Sequence, residues 1–263
     1  MSTTSLPSNV SVTPIPAFTD NYIWCLRNTT DAVVVDPGDA EPVLAYLKDH
    51  NLKLAGILIT HHHHDHTGGI TRLTSTRPDI PVIGPRGNHI RGITKSVTQG
   101  DAVHLPIINC DFTVLEIPGH TLDHIAFYGH DAIFCGDTLF AAGCGRLFEG
   151  SPAQMVHSLS KLKRLPDHTK VYCGHEYTLA NISFAKGVEP NNQALQEYEN
   201  WAKQQRQQDK TTLPSDIATQ KAVNPFLRCH HEEVRSSVQA NSEHKLRDEV
   251  DVFASLRQWK DKF

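Results

Sequence analysis

The run Thr60-His61-His62-His63-His64-Asp65-His66 follows directly on the apolar stretch Gly56-Ile57-Leu58-Ile59. Six groups able to bind a metal ion stand within these seven residues, at the end of what reads as a buried strand. Such a chain has to empty a strand into a ligand-bearing loop. Alternate side chains in a strand-end loop point the same way, so His61 and His63 can reach one ion while Asp65 and His66 turn toward a second. Imidazole and carboxylate donors suit zinc or iron. A purification tag would sit at a terminus, whereas this run lies deep in the chain, ahead of the helix-opening Thr67-Gly68-Gly69.

Three later segments share the same grammar of an apolar run, a glycine and one ligand. Phe112 to Gly119 leads to His120, Ala132 to Gly136 leads to Asp137, and Lys170 to Gly174 leads to His175. Four strands that each end in a ligand can converge at one edge of a sheet, where α/β architectures build their sites. The ligands so collected exceed what one tetrahedral zinc uses, since a catalytic zinc takes three and keeps a position open. Two ions are therefore expected, with His61, His63 and His120 on the first, Asp65, His66 and His175 on the second, and the Asp137 carboxylate bridging them. Asp36, in the turn Asp36-Pro37-Gly38, either orients a ligand histidine or is a plain turn residue. His62 and His64 fit a structural role beside the ligands.

These residues resemble the metallo-β-lactamase superfamily, whose signature is His-x-His-x-Asp-His followed by a distant His, Asp and His. The similarity narrows to the glyoxalase II (hydroxyacylglutathione hydrolase) family through Phe18-Thr19-Asp20-Asn21-Tyr22-Ile23-Trp24, Val35-Asp36-Pro37-Gly38-Asp39, Cys135 to Phe140, Gly143 to Gly150, Cys173 to Thr178 and Asn224-Pro225-Phe226-Leu227-Arg228. The resemblance covers nearly the whole chain from about Ile15. It implies an α/β fold, a four-layer αβ/βα sandwich with a smaller helical C-terminal domain. It also implies hydrolysis of S-(2-hydroxyacyl)glutathione, such as S-D-lactoylglutathione, to glutathione and a 2-hydroxy acid, the second step of methylglyoxal detoxification.

The chain's own patterning agrees with that division. From Val12 to Val171, β-like runs such as Ala32-Val33-Val34-Val35 and Val82-Ile83 alternate with helix-like stretches. Ser151-Pro152 opens the clearest helix, with Met155, Leu159, Leu162 and Leu165 on one face until Pro166 stops it. Beyond Glu176 the composition turns helical, at 194–208 and 248–262, so a metal domain over 1–175 and a helical substrate domain over 176–263 are expected.

Composition excludes several function classes. Six cysteines without Cys-x-x-Cys spacing, several inside apolar strands, point to a reducing, cytoplasmic compartment. The N-terminal stretch lacks the basic start and apolar core of a signal peptide, and no segment is long enough to span a bilayer. A formal charge of −4 gives no general attraction to nucleic acid or to an anionic membrane. Nothing advertises an oligomer, so a monomer acting on a small molecule is expected.

Two ions would lower the pKa of a shared water toward neutrality, so Asp65 and Asp137 become catalytic as ligands of a metal-bridging hydroxide. With no Gly-x-Ser-x-Gly elbow and the histidines committed to metal, a serine-type acyl-enzyme is excluded. The leaving thiolate, whose thiol ionises at about pH 8.5, needs no general acid. Zinc leads, with iron or manganese accepted by the same donors. On the residues alone, Arg257 and Lys260 read as a solvated basic tail. The resemblance makes them a carboxylate-binding pair, with Tyr177 a glutathione-binding tyrosine and Arg146 a substrate-binding cation. Arg146 stands where animal members carry lysine, and Phe148 where some carry tyrosine, which alters hydrogen bonding to glutathione. The alternatives are a single-iron persulfide dioxygenase, which has no use for Asp65, His66 and His175 together, a nuclease of the same fold, and a non-catalytic metal-binding module.

Overall fold

The computed structural model describes residues 5–87 and 89–263. By backbone proximity the chain falls into two units, Met1–Glu116 with Asp123–Gly136, and Ile117–Leu122 with Asp137–Phe263.

In the first unit, β1 (Ser11–Ala17), β2 (Asn21–Arg27) and β3 (Asp31–Val35) form an antiparallel meander. Helix α1 (Ala40–Asp49) then crosses to β4 (Lys53–Leu58), which runs parallel to β3, because parallel neighbours need a crossover rather than a tight turn. The short α2 (His64–Thr67) and α3 (Ile70–Thr76) lead on to β5 (Val82–Pro85) and β6 (Lys95–Val97), completing the sheet order β1-β2-β3-β4-β5-β6. The unbroken run Ala32 to Val35 is buried throughout, as expected of a strand covered on both faces. Val43 and Leu47 of α1 and Ile70 and Leu73 of α3 share one core with Val34, Ile57 and Val82. Each contributes about 1.5–3 kcal/mol by leaving water. Apolar burial therefore holds the frame of the ligand loop.

The remaining strands of this unit, β7 (Ala102–Leu105), β8 (Cys110–Glu116), β9 (Ile125–Gly129) and β10 (Ala132–Gly136), pair antiparallel in succession. The expectation that all ligand strands end at one sheet edge is thereby corrected. β4 lies in the mixed sheet, and β8 and β10 lie in the antiparallel one. An apolar run followed by a ligand marks a strand end but carries no information on which sheet the strand joins.

The second unit opens with the ribbon β11 (Leu139–Phe140) and β12 (Gly143–Cys144), followed by α4 (Pro152–Lys163). Ser151 and Gln154 form a reciprocal capping box at its start, Pro152 occupies the first turn, and Met155, Leu159 and Leu162 are buried. The helix ends at Lys163, short of Pro166, because the proline forces the residues before it out of helical geometry. After β13 (Lys170–Cys173) come α5 (Thr178–Val188) and α6 (Gln193–Gln207), and then β14 (Ser215–Asp216), antiparallel to β13. Helices α7 (Ile217–Val223), α8 (Glu232–Ala240) and α9 (Glu249–Lys262) complete the chain. The architecture is thus α/β, mixed sheets and helices followed by a helical C-terminal stretch, and the two helical segments expected from composition are α6 and α9. None of the described helices is long and apolar enough to cross a membrane.

Candidate functional site

In the first unit the loop at 60–66 is set by Asp36, which follows β3 with a left-handed backbone (φ 53°) and a buried carboxylate. Its Oδ1 accepts from the Thr60 amide at 2.8 Å and its Oδ2 from the Thr60 hydroxyl at 2.7 Å. The same Oδ2 lies 3.1 Å from His66 Nδ1, which donates because a carboxylate only accepts. With its proton on Asp36, the Thr60 hydroxyl accepts from His61 Nδ1 at 3.0 Å. Both rings are thereby held as the tautomer that presents the lone pair of Nε2. Asp36, His61 and His66 offer donor atoms within 4.8 Å of one another. Since both Asp36 oxygens serve these hydrogen bonds, its carboxylate orients the His61 and His66 rings and is more than a plain turn residue.

His63 is half-buried and meets His61 edge-on, with ring centroids 4.8 Å apart. Asp65 Oδ2 accepts from Asn21 Nδ2 at 3.0 Å and lies 3.4 Å from His66 Nε2. His62 Nδ1 instead pairs with Asp123 Oδ1 at 2.9 Å, and His64 is exposed on α2. At the end of β10, Gly136 has φ 46°, and a Cβ there would come within 2.3 Å of Thr60 Oγ1. Only glycine lets β10 pass the residue that sets the His61 tautomer.

In the second unit His120, Asp137 and His175 are all buried. His120 Nδ1 donates to the Arg146 carbonyl at 2.8 Å, so its Nε2 carries the lone pair and faces Asp137 Oδ2 at 3.5 Å. His175 Nε2 lies 3.2 Å from the same oxygen. Stacking on Tyr177 (4.7 Å, 4°) holds the His175 ring in place. Two imidazole nitrogens thus converge on one carboxylate oxygen.

This donor arrangement fits a metal ion. A lone pair turned toward a carboxylate oxygen is repulsive unless a cation lies between them, and the confrontation occurs at His66 with Asp65 and again at His120 with Asp137. Protein partners on Nδ1 that leave Nε2 as the donor are the usual support of metal-binding histidines.

The expected substrate residues also lie in the second unit. Arg257, on α9, is 4 % exposed, which overturns the solvated-tail reading. Its Nη1 donates to the Cys144 carbonyl at 2.9 Å, and its Nε and Nη2 contact Asp261 Oδ1 at 3.2 and 3.0 Å. Arg146 is exposed and approaches the same Asp261 oxygen at 3.6 Å. Lys260 donates to Asn181 Oδ1 and lies over the Phe184 and Phe226 rings at 5.7 Å. Burial, reinforced by the Arg257 charge, pushes the Lys260 ammonium down to about 8. Tyr177 is half-buried, edge-on to Phe140 at 5.2 Å, and Phe148 is exposed, edge-on to His120 at 5.2 Å. Asn21 and Asp261 went unassigned in the sequence reading. Asn21 stood inside a quoted motif, and Asp261 lies one helical turn beyond Arg257, a spacing that signals an ion pair only once the helix is known.

The chain is similar to known proteins along nearly its whole length. The family model for the Metallo-beta-lactamase superfamily matches residues 18–175, and that for the Hydroxyacylglutathione hydrolase C-terminus matches residues 176–263. A relative named hydroxyacylglutathione hydrolase from Nitrosomonas eutropha is 50 % identical over 97 % of this chain and 99 % of its own length. Among solved structures, ETHE1 from Myxococcus xanthus superimposes with a TM-score of 0.63 at 25 % identity, covering 95 % of this chain and 97 % of that one. TTHA1623, solved in a di-iron-bound form, shares the fold with a TM-score of 0.58 at 24 % identity, over 82 % of this chain and all of that one (100 %). Matched along nearly its whole length, the chain belongs to the hydroxyacylglutathione hydrolase family of the metallo-beta-lactamase superfamily.

Proposed function

We propose that the protein hydrolyses S-(2-hydroxyacyl)glutathione, with S-D-lactoylglutathione as the physiological substrate, to glutathione and a 2-hydroxy acid, the second step of methylglyoxal detoxification. One observation carries the substrate assignment: a relative at 50 % identity over 97 % of the chain bears the name hydroxyacylglutathione hydrolase. The donor chemistry supports a metal-dependent reaction. In this proposal His61, His63 and His120 hold one divalent ion and Asp65, His66 and His175 a second. The Asp137 carboxylate would be shared between them. Zinc is the leading candidate, with iron and manganese accepted by the same ligands.

Bound divalent ions of this kind supply hydroxide at neutral pH and polarise a carbonyl. The chain's own part is to fix donor geometry and to seat the substrate. Asp36 and Thr60 hold the His61 and His66 rings in the ligating tautomer, and the Arg146 carbonyl does the same for His120. Arg146, Arg257 and Lys260 provide positive charge for the glutathione carboxylates, and Tyr177, stacked on His175, contributes a further glutathione contact. The thiolate leaves without a general acid, because its thiol ionises at about pH 8.5. Residues 1–175 would carry the metals and 176–263 most of the glutathione contacts.

We further propose a cytoplasmic monomer. All six cysteines are unbridged and buried, which suits a reducing compartment. The test is release of thiol from S-D-lactoylglutathione by protein of known metal content, with a chelator-treated control. Rapid, chelator-sensitive release at about two metals per chain is expected. Two bound metals with no release would discard the substrate.

A further inference from the structure

The turn Phe18–Asp20 joins β1 to β2, with Ala17 paired to Asn21 across its base. Phe18 opens it at φ 50°, in the left-handed region. An L side chain there costs about 1–3 kcal/mol, and glycine avoids that cost. The Phe18 side chain is also 57 % exposed, so the ring gains little from burial. Neither the turn nor the core profits from phenylalanine at this position. The ring lies beside Gly38, the residue whose main chain packs on the Asp65 carbonyl. Phe18 Cε2 lies 2.9 Å from the point a Cβ on Gly38 would occupy, and that point is 1.8 Å from the Asp65 carbonyl oxygen. At the other end of the turn, buried Asn21 donates Nδ2 to Asp65 Oδ2 at 3.0 Å and to its carbonyl at 3.4 Å. The turn is thus tied to Asp65 at its Asn21 end and reaches Gly38 at its Phe18 end, and an exposed aromatic face stands near the main chain of a proposed ligand.

We infer that Phe18 is a specificity-determining residue whose exposed ring forms an apolar wall for the alkyl or aryl substituent of the 2-hydroxyacyl group. The inference rests on the thioester hydrolase reading and on Asp65 as a ligand. An apolar wall discriminates by the size of the group it covers, by about tenfold or more for a substituent that gains or loses contact.

The experiment compares kcat/KM of metal-loaded wild type, F18A, F18G and F18L on S-D-lactoylglutathione and S-mandeloylglutathione, which share the glutathione part and differ in the acyl substituent. F18A and F18G should lower the mandeloyl-to-lactoyl ratio by about tenfold, and F18L should recover part of it. F18G also relieves the positive φ, so a folded variant is available whatever F18A does. A ratio unmoved in folded F18G, or both substrates changed by the same factor, overturns the inference. Wild type that releases thiol from neither substrate overturns the hydrolase reading instead.

Discussion

Asp36 and Thr60 are joined twice, the carboxylate accepting from both the backbone amide and the hydroxyl of the threonine at 2.8 and 2.7 Å. Because Asp36 Oδ2 also faces His66 Nδ1 at 3.1 Å, one carboxylate at the end of β3 sets two histidine rings at the end of β4. Asp36→Ala is expected to weaken metal affinity by about 10–100-fold while all proposed ligands stay in place. Competition against a chromophoric chelator reads this directly. Unchanged affinity would return Asp36 to the role of a turn residue.

Asp137→Asn removes the charge from the oxygen on which His120 and His175 converge. An amide bridges two cations poorly, so the variant should lose about one metal equivalent and fall at least about 100-fold in kcat. Metal analysis beside the thiol assay checks both quantities. Two ions retained with full turnover would sink the bridging role.

Arg257 is held by the Cys144 carbonyl and Asp261, which presents its guanidinium in one orientation. Arg257→Ala should raise KM for glutathione thioesters by about tenfold with little change in kcat, the mark of binding that is uniform between ground and transition states. If KM stays put, the arginine serves only to anchor α9.

The Lys260 ammonium, pushed down to about 8, is charged below that pH and neutral above it. Its attraction for a substrate carboxylate is present at low pH and lost as pH rises through about 8. KM should therefore climb across that range, and Lys260→Arg should move the climb beyond it, since arginine stays protonated. A KM profile identical in the two proteins would remove Lys260 from the binding set.

Burial pushes the thiols of Cys25 and Cys110 up to about 12 and about 11, and Cys144 and Cys229 upward as well. These four thiols carry little thiolate in the folded protein at about pH 8, and Cys135 and Cys173 are buried as well. An aromatic disulfide reagent should titrate essentially no thiol in native protein and all six after denaturation. Fast native reaction would show a cysteine reaching solvent.

The donor-rich run at 60–66, the capped helix at Ser151 and the helical C-terminal stretch were all legible in the chain, as were His120, Asp137 and His175 as candidate donors. They are encoded locally, in residue type, in spacing of 2 or 3.6 and in the punctuation of serine, proline and glycine. The partition of ligand strands between sheets was not, because strand pairing depends on contacts distant in sequence. Nor was the burial of Arg257, since a basic pair near a C-terminus looks the same whether water or α4 covers its helix.

The sequence by itself determined which donors exist and in what order, and through nearly full-length similarity it determined the family. Tertiary structure alone decided which nitrogen of His61, His66 and His120 is left unbonded, that Asp36 orients two imidazole rings, and that an exposed, strained Phe18 lies beside Gly38. Those outcomes turn on hydrogen bonds and contacts between residues such as Asp36 and Thr60, or Phe18 and Gly38, whose meeting depends on how strands align. A local pattern can specify a strand, but only the packed chain brings a carboxylate on one strand to the imidazole beyond the next.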